Sequence, residues 1–268
     1  MVSFPPCKIN LGLNIIEKRS DGYHNLETVF YPIPLCDIVE VIPSDTVQFI
    51  ASGLTIPGES STNLCLKAYH LLKAEHNLDP VEIHLHKVIP TGAGLGGGSA
   101  DAAHTLRLLN QLFKLELSNA QLQHYAQQLG SDCAFFIEDK PMLGLGRGEI
   151  LAPVQLSLKG KFLVLVKPDV HVSTAEAYRG VKPVTARPQI KDIIESIPMQ
   201  EWKHVLKNDF EESVFKAHPI IGQYKENLYS QGAIYACMSG SGSSVFGIFE
   251  KAFDFVGEDV IWSGLLTH

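Results

Sequence analysis

The stretch Pro90, Thr91, Gly92, Ala93, Gly94, Leu95, Gly96, Gly97, Gly98, Ser99 and Ala100 concentrates more potential chemistry than any other part of the sequence. Its glycines let the backbone turn sharply and bring N–H groups up to an anion without interference from a Cβ. A helical pattern follows at once, in Ala102, Ala103, Leu106, Leu109, Leu112 and Phe113. The start of that helix adds unpaired N–H donors and the positive end of a dipole, which suits a di- or triphosphate. Two familiar phosphate motifs overlap this stretch and fail. GxxxxGK[ST] fits at Gly92, Gly97 and Ser99, but Gly98 stands where the lysine should be. GxGxxG fits at Gly92, Gly94 and Gly97, but Pro90 interrupts the strand-to-loop junction and the segment 114–117 is too short for the second strand.

A phosphate loop without its own lysine needs positive charge from elsewhere, and phosphoryl transfer needs a group that orients the acceptor hydroxyl and takes its proton. Lys8 and Asn10 share one face of an alternating segment whose other face is Ile9, Leu11, Leu13 and Ile15. They are candidates for the substrate side; a solvent-facing polar face is the alternative. Asp132 lies between a helix end and the apolar run Cys133–Phe136. Partial desolvation beside a lysine would make it a base that stays ionised, and a structural cap for the next turn is the alternative. The histidines lack the i, i+4 spacing of a helical zinc pair, so no protein-held metal is expected. Any metal would be Mg²⁺ arriving with the nucleotide.

The elements that must position these residues read as α+β. Strands are expected at 8–15, 28–33, 38–42, 47–50 and 81–89. Helices are expected from Leu64, capped by Thr62 or Asn63, and from Ser118, where Ser118 and Gln121 form a capping-box pair. The segment 153–161 reads as a boundary between 1–155 and 156–268. Beyond it come a strand at 162–166, helices near 191–196, 209–216 and from Pro219, and strands at 233–237 and 245–249 around a second glycine-serine turn.

With 268 residues, 45% hydrophobic and 19% charged, the chain can bury a sizeable core. A net charge of -7 disfavours nucleic acid as a partner. No apolar run reaches membrane-spanning length, and the opening residues lack the pattern of a secretory signal. Five cysteines without CxxC spacing read as free thiols in a reducing compartment, so the cytoplasm is the expected location.

Three segments, Pro6–Leu11, Pro90–Ala103 and Met238–Gly247, together resemble the GHMP kinase superfamily in order and spacing. The resemblance implies a two-lobed fold, with an N-terminal α/β lobe containing a left-handed crossover and a ferredoxin-like C-terminal lobe. It also implies ATP as co-substrate with Mg²⁺. Arg19-Ser-Asp-Gly-Tyr-His24 is similar to a branch of that superfamily acting on a cytidine diphosphate-linked alcohol. That branch phosphorylates the 2-hydroxyl in the non-mevalonate route to isoprenoids. Carried over residue by residue, Lys8 would polarise the hydroxyl and steady Asp132, the general base. The loop 90–100 would take the ATP phosphates, with Ser99 near the metal-bound ones, and Asn63 would lie by adenine. Tyr23 and His24 would hold the cytosine, Tyr178 would face it from the other side, and Asn10 would touch the alcohol. Cys7 and Cys133 depart from the family pattern but are small and apolar in behaviour. Other readings are a sister kinase acting on a different alcohol, a catalytically silent ligand sensor, and a dinucleotide-dependent oxidoreductase.

Overall fold

The computed structural model describes residues 1–267. Two compact units interleave along the chain. One contains Met1–Lys8, Pro32–Thr91 and Gly96–Lys140; the other contains Ile9–Tyr31, Gly92–Leu95 and the chain from Pro141 onward. A single cut at residue 155 therefore does not describe these units. The reason is two long strands, β2 (Pro6–Lys18) and β3 (His24–Cys36), which each belong partly to both. β7 (Met142–Gly146) and β8 (Ile150–Pro153) join them in a sheet of order β2-β3-β7-β8, which draws 141–155 into the second unit.

The sheet of the first unit comprises β1 (Val2–Ser3), β4 (Ile38–Pro43), β5 (Gln48–Gly53) and β6 (Val81–Lys87), in the order β1-β4-β6-β5. β5 and β6 run parallel, with α1 (Leu64–Glu75) in the connection between them; β4 and β6 run antiparallel. Asn63 caps α1 by accepting the N–H of Cys65 at 2.8 Å. α2 (Gly97–Leu112) packs against α1 and β4. α3 (Asn119–Leu129) starts with the expected Ser118–Gln121 capping box and ends at Gly130, whose backbone is extended rather than left-handed.

Alternation along β6 buries Val81, Ile83, Leu85 and then Lys87. A buried ammonium must be paired. Lys87 donates to Asp37 at 2.5 Å and to Asp101, on α2, at 2.7 Å. Asp37 also accepts the N–H groups of Val88 and Ile89, at 2.6 and 2.8 Å. The cluster therefore ties the end of β6 to the second turn of α2, the two anchors of the intervening loop. Burial alone would lower the Lys87 pKa, but Asp101 and Asp37 outweigh it and hold it above its ordinary value. Burial pushes Asp101 up to about 8; Lys87 offsets part of this and the Asp37 charge adds to it.

In the second unit, β9 (Phe162–Val166), β10 (Tyr235–Met238), β11 (Val245–Phe249) and β12 (Val260–Leu265) form an antiparallel sheet of order β10-β11-β9-β12. Between β9 and β10 run α4 (Thr174–Gly180), α5 (Ile190–Ser196), α6 (Trp202–Val205), α7 (Glu211–Ala217) and α8 (Pro219–Ser230). Strand count and pairing fit the expected ferredoxin-like lobe. One detail departs: the β11–β12 connection carries no helix among the described residues, where that pattern has a second one. Phe253 from this connection packs on Phe249 and Phe162 instead, with ring centroids 4.7 and 5.9 Å apart.

The Asp101 carboxyl has a definite pH signature. It ionises near 3.8 when unfolded and near about 8 when folded, so the folded state binds the extra proton and loses stability as pH climbs through that interval. Asp101→Asn should flatten this slope. Urea midpoints measured between about pH 5 and about pH 8 decide it; parallel curves for wild type and variant would show that Asp101 does not titrate there.

Candidate active site

Lys8 enters near the start of β2. Its Nζ lies 3.4 Å from Oδ2 of Asp132, and the two side chains are 4% and 31% exposed. Asp132 precedes the 3₁₀ turn Cys133–Ile137 but makes no side-chain capping hydrogen bond to it. Its carboxylate is thus available to Lys8, and the capping alternative is not realised. Lys8 and Asn10 are buried, so the polar face of the strand does not meet solvent either. β2 is covered along its edge near Leu13, where Leu13 donates to Lys207 O and accepts from Asp209 N, both at 2.9 Å.

The glycine loop leads into α2 with Gly96 as N-cap, at a left-handed φ of 71°. A Cβ at Gly96 would stand 2.9 Å from Phe136 Cζ and 3.1 Å from Lys8 Cε. The lysine that reaches Asp132 therefore passes directly against the loop backbone. At Gly97 a Cβ would meet Ile89 at 2.9 Å and Lys87 Nζ at 3.0 Å. Gly98 is different, with only Leu64 at 4.0 Å. Ser99, in the first turn of α2, lies beside the thiol of Cys133, next to Asp132. Burial, reinforced by Asp132 and partly offset by Ser99, pushes that thiol up to about 12, so it stays protonated and inert. In the first unit, then, the loop's helix start, Lys8, Ser99 and Asp132 are neighbours. Asn63 is half-buried at the start of α1.

The residues 92–95 belong to the second unit, with left-handed glycines at 92 and 94. Asn10 of the same unit donates to Thr28 Oγ1 at 2.9 Å, and that hydroxyl donates to Gly12 O at 2.6 Å. The segment Arg19–His24 is a tight turn between β2 and β3. Arg19 N–H donates to Tyr23 O at 2.8 Å, its guanidinium grips Asp21, and Gly22 takes a φ of 87°. The turn presents Tyr23, which is 55% exposed. His24 stacks on Tyr178 with centroids 4.9 Å apart and planes at 25°, and buried Phe210 supports Tyr178 edge-on at 4.8 Å. Burial and, secondarily, Lys18 hold the His24 pKa below its ordinary value, leaving a neutral imidazole at neutral pH.

Sequence reading missed Arg147. It comes from the turn between β7 and β8, and its guanidinium lies 4.9 Å from the Tyr23 ring centroid. It also missed Asp37, Lys87 and Asp101, although a lysine on the apolar face of a strand was a visible signal. No group of three or more His, Cys, Asp or Glu side chains that could hold a metal occurs among the described residues.

The GHMP kinases N terminal domain matches residues 63–140 and the GHMP kinases C terminal domain matches 187–259. A Bacteroides fragilis relative is 59% identical over 93% of this chain and 92% of its own length, and a Parabacteroides distasonis relative is 49% identical over the whole of both. The chain belongs to the GHMP kinases, a family of ATP-dependent small-molecule kinases. Both relatives are named 4-diphosphocytidyl-2-C-methyl-D-erythritol kinase. A crystal structure of 4-(cytidine 5'-diphospho)-2C-methyl-D-erythritol kinase superposes with a TM-score of 0.79 at 34% identity, covering 94% of this chain and 91% of that one. Homoserine kinase from Cytophaga hutchinsonii shares the fold, with a TM-score of 0.61 at 18% identity, covering 92% of this chain and 85% of that one.

The two faces of the loop predict different tolerance. Gly96→Val must leave the left-handed region and displace Phe136 or Lys8, strain of about 1–3 kcal/mol that should lower turnover at least ~10-fold. Gly98→Ala should retain turnover, since its Cβ has room. Steady-state kinetics on the two folded variants check this; wild-type turnover in Gly96→Val would show that the loop does not constrain Lys8.

Proposed function

We propose that this chain transfers the γ-phosphate of ATP to the 2-hydroxyl of 4-diphosphocytidyl-2-C-methyl-D-erythritol, leaving ADP and the 2-phosphate. High identity to relatives of that name over nearly the full length is the observation that carries the substrate. Its place is the non-mevalonate route to isoprenoids, and free, mostly buried thiols suit a cytoplasmic setting.

The residue roles follow from chemistry. Asp132 accepts the proton of the 2-hydroxyl as its oxygen attacks the γ-phosphorus. Lys8, nearly dehydrated and 3.4 Å from that carboxylate, pairs with it and draws electron density from the acceptor oxygen. Pro90, Thr91 and the loop as far as Ala100 receive the ATP phosphates on backbone N–H groups and the α2 N-terminus. Mg²⁺ would come bound to the phosphates, with the Ser99 hydroxyl facing them, and would neutralise charge on the transferring group. Asn63 borders adenine. Tyr23, His24 and Tyr178 hold the cytosine, where a neutral imidazole can both donate to and accept from the base edge, and Asn10 touches the methylerythritol. Arg147 joins this set through its place over Tyr23.

Kinetic experiments on substrate choice and on variants test the reading. Phosphorylation should occur with the cytidine-bearing acceptor and fail with free methylerythritol phosphate. Tyr23→Ala should raise KM for the acceptor, consistent with the about 1–3 kcal/mol of a base–aromatic stack, while sparing KM for ATP. Equal use of both acceptors would refute the substrate assignment. For the catalytic pair, Asp132→Asn should lower kcat by about 10²–10⁴ with ligand affinity retained. Combination with Lys8→Ala should be strongly non-additive, because the two act as one unit. A folded Asp132→Asn enzyme with normal turnover would remove Asp132 from the chemistry.

A further inference from the structure

The segment Met238–Gly247 has so far carried no task. β10 ends at Met238 and β11 starts at Val245, leaving Ser239–Ser244 as a tight turn. The turn is closed by Ser239 N–H to Ser244 O and Gly242 N–H to Ser239 O, both 2.9 Å. Buried Asn208 grips it from the side, donating to the carbonyls of Met238 and Gly240, each at 2.8 Å. Its side chains at Ser239, Ser243 and Ser244 are fully buried.

This rigid turn is engaged with the glycine loop. Ser239 Oγ donates to Gly94 O at 2.8 Å, and Ser244 N–H donates to Ala93 O at 3.2 Å. The approach is close enough that a Cβ at Gly94 would stand 2.0 Å from Ser239 O. Ser239 Oγ also lies 3.4 Å from Oδ1 of Asn10.

In a planar trans peptide the C=O and the N–H point in opposite directions. Tying down the Ala93 carbonyl therefore turns the Gly94 N–H away from the turn, and tying down the Gly94 carbonyl does the same for the Leu95 N–H. Two successive amides are thereby aimed to one side, as an anion-binding concavity requires. Glycine accepts either orientation of the following peptide, and the bond from Ser239 Oγ to Gly94 O favours one of the two.

We propose that Ser239 is a positioning residue for nucleotide binding: its hydroxyl fixes the orientation of the Gly94–Leu95 peptide and so aims the loop's N–H donors at the phosphates. This rests on the reading that the loop takes ATP phosphates. Ser239 does not touch the nucleotide and acts only through the loop.

Ser243 supplies an internal control. It lies in the same turn, equally buried, but its hydroxyl donates to Val170 O at 2.6 Å. Ser239→Ala and Ser243→Ala each remove one side-chain-to-backbone hydrogen bond, so each should lower the melting temperature similarly. Only Ser239→Ala should weaken a non-hydrolysable ATP analogue with Mg²⁺, by about three- to tenfold, the reach of one such bond. Isothermal titration gives the affinities and thermal melts the stability. If Ser239→Ala does not fold, Ser239→Cys, of similar size but a weaker donor, carries the same comparison. Equal affinity loss in both variants, or none in the Ser239 variant, overturns the proposal. Wild-type protein that does not bind the analogue overturns both this and the nucleotide reading. Analogue binding with no phosphorylation of the cytidine acceptor counts against the proposed reaction alone.

Discussion

The absence of room for a Cβ along the glycine loop is the constraint on which the rest of the site depends. At Gly94 the obstacle is the backbone of the Ser239–Ser244 turn; at Gly96 it is Phe136 and the stem of Lys8; at Gly97 it is Ile89 and Lys87. Each contact fixes a peptide group rather than a side chain. The loop is therefore shaped by what presses on it, and its glycines are sites of close approach as much as sources of flexibility. In the second unit Asn208, Ser239 and Gly94 form one chain of such contacts, and in the first unit Lys8, Gly96 and Phe136 form another.

Charge is partitioned with equal strictness. Lys87 lies beside the loop and has the reach of a phosphate ligand, but two carboxylates claim it. Such a cluster costs desolvation energy and is weak evidence for stability in itself. What it supplies is geometry, joining the end of β6 to α2 across the loop. Lys8 faces a single, partly exposed carboxylate instead. The two buried lysines thus differ in the number and burial of the acids that partner them, and only Lys8 meets a carboxylate that is open to solvent.

Much of this was legible in the sequence where the signal is local. The start of α2 behind the glycines, the capping box at Ser118 and the strands at 162–166 and 245–249 depend on near neighbours in the chain. Lys8 and Asp132, far apart in sequence, were paired only through family likeness, and the structure places them 3.4 Å apart. Non-local features stayed hidden. Alternation left the polar face of β2 equally readable as solvent-facing, because the partners of Asn10, Thr28 and Ser239, lie 18 and 229 residues away in the chain. α4 is seven residues long and buries little beyond Ala177, so no periodicity announced the helix that carries Tyr178. Arg147 over Tyr23 and the interleaving of the two units follow from sheet order, which no local pattern encodes.

Four of the five cysteines are buried, and none forms a disulfide. Cys7 adjoins Lys8 and Cys133 adjoins Asp132, so two native thiols flank the Lys8–Asp132 ion pair. Burial raises the pKa of both, which makes them slow to alkylate in the closed protein. A thiol reagent can reach them only when the surrounding structure opens, so the labelling rate at each cysteine is a clock for that local opening. The protein thus contains, without any engineered probe, a chemical reporter of how often the interior around Lys8 and Asp132 meets solvent, and ligand binding can be read as a slowing of that clock.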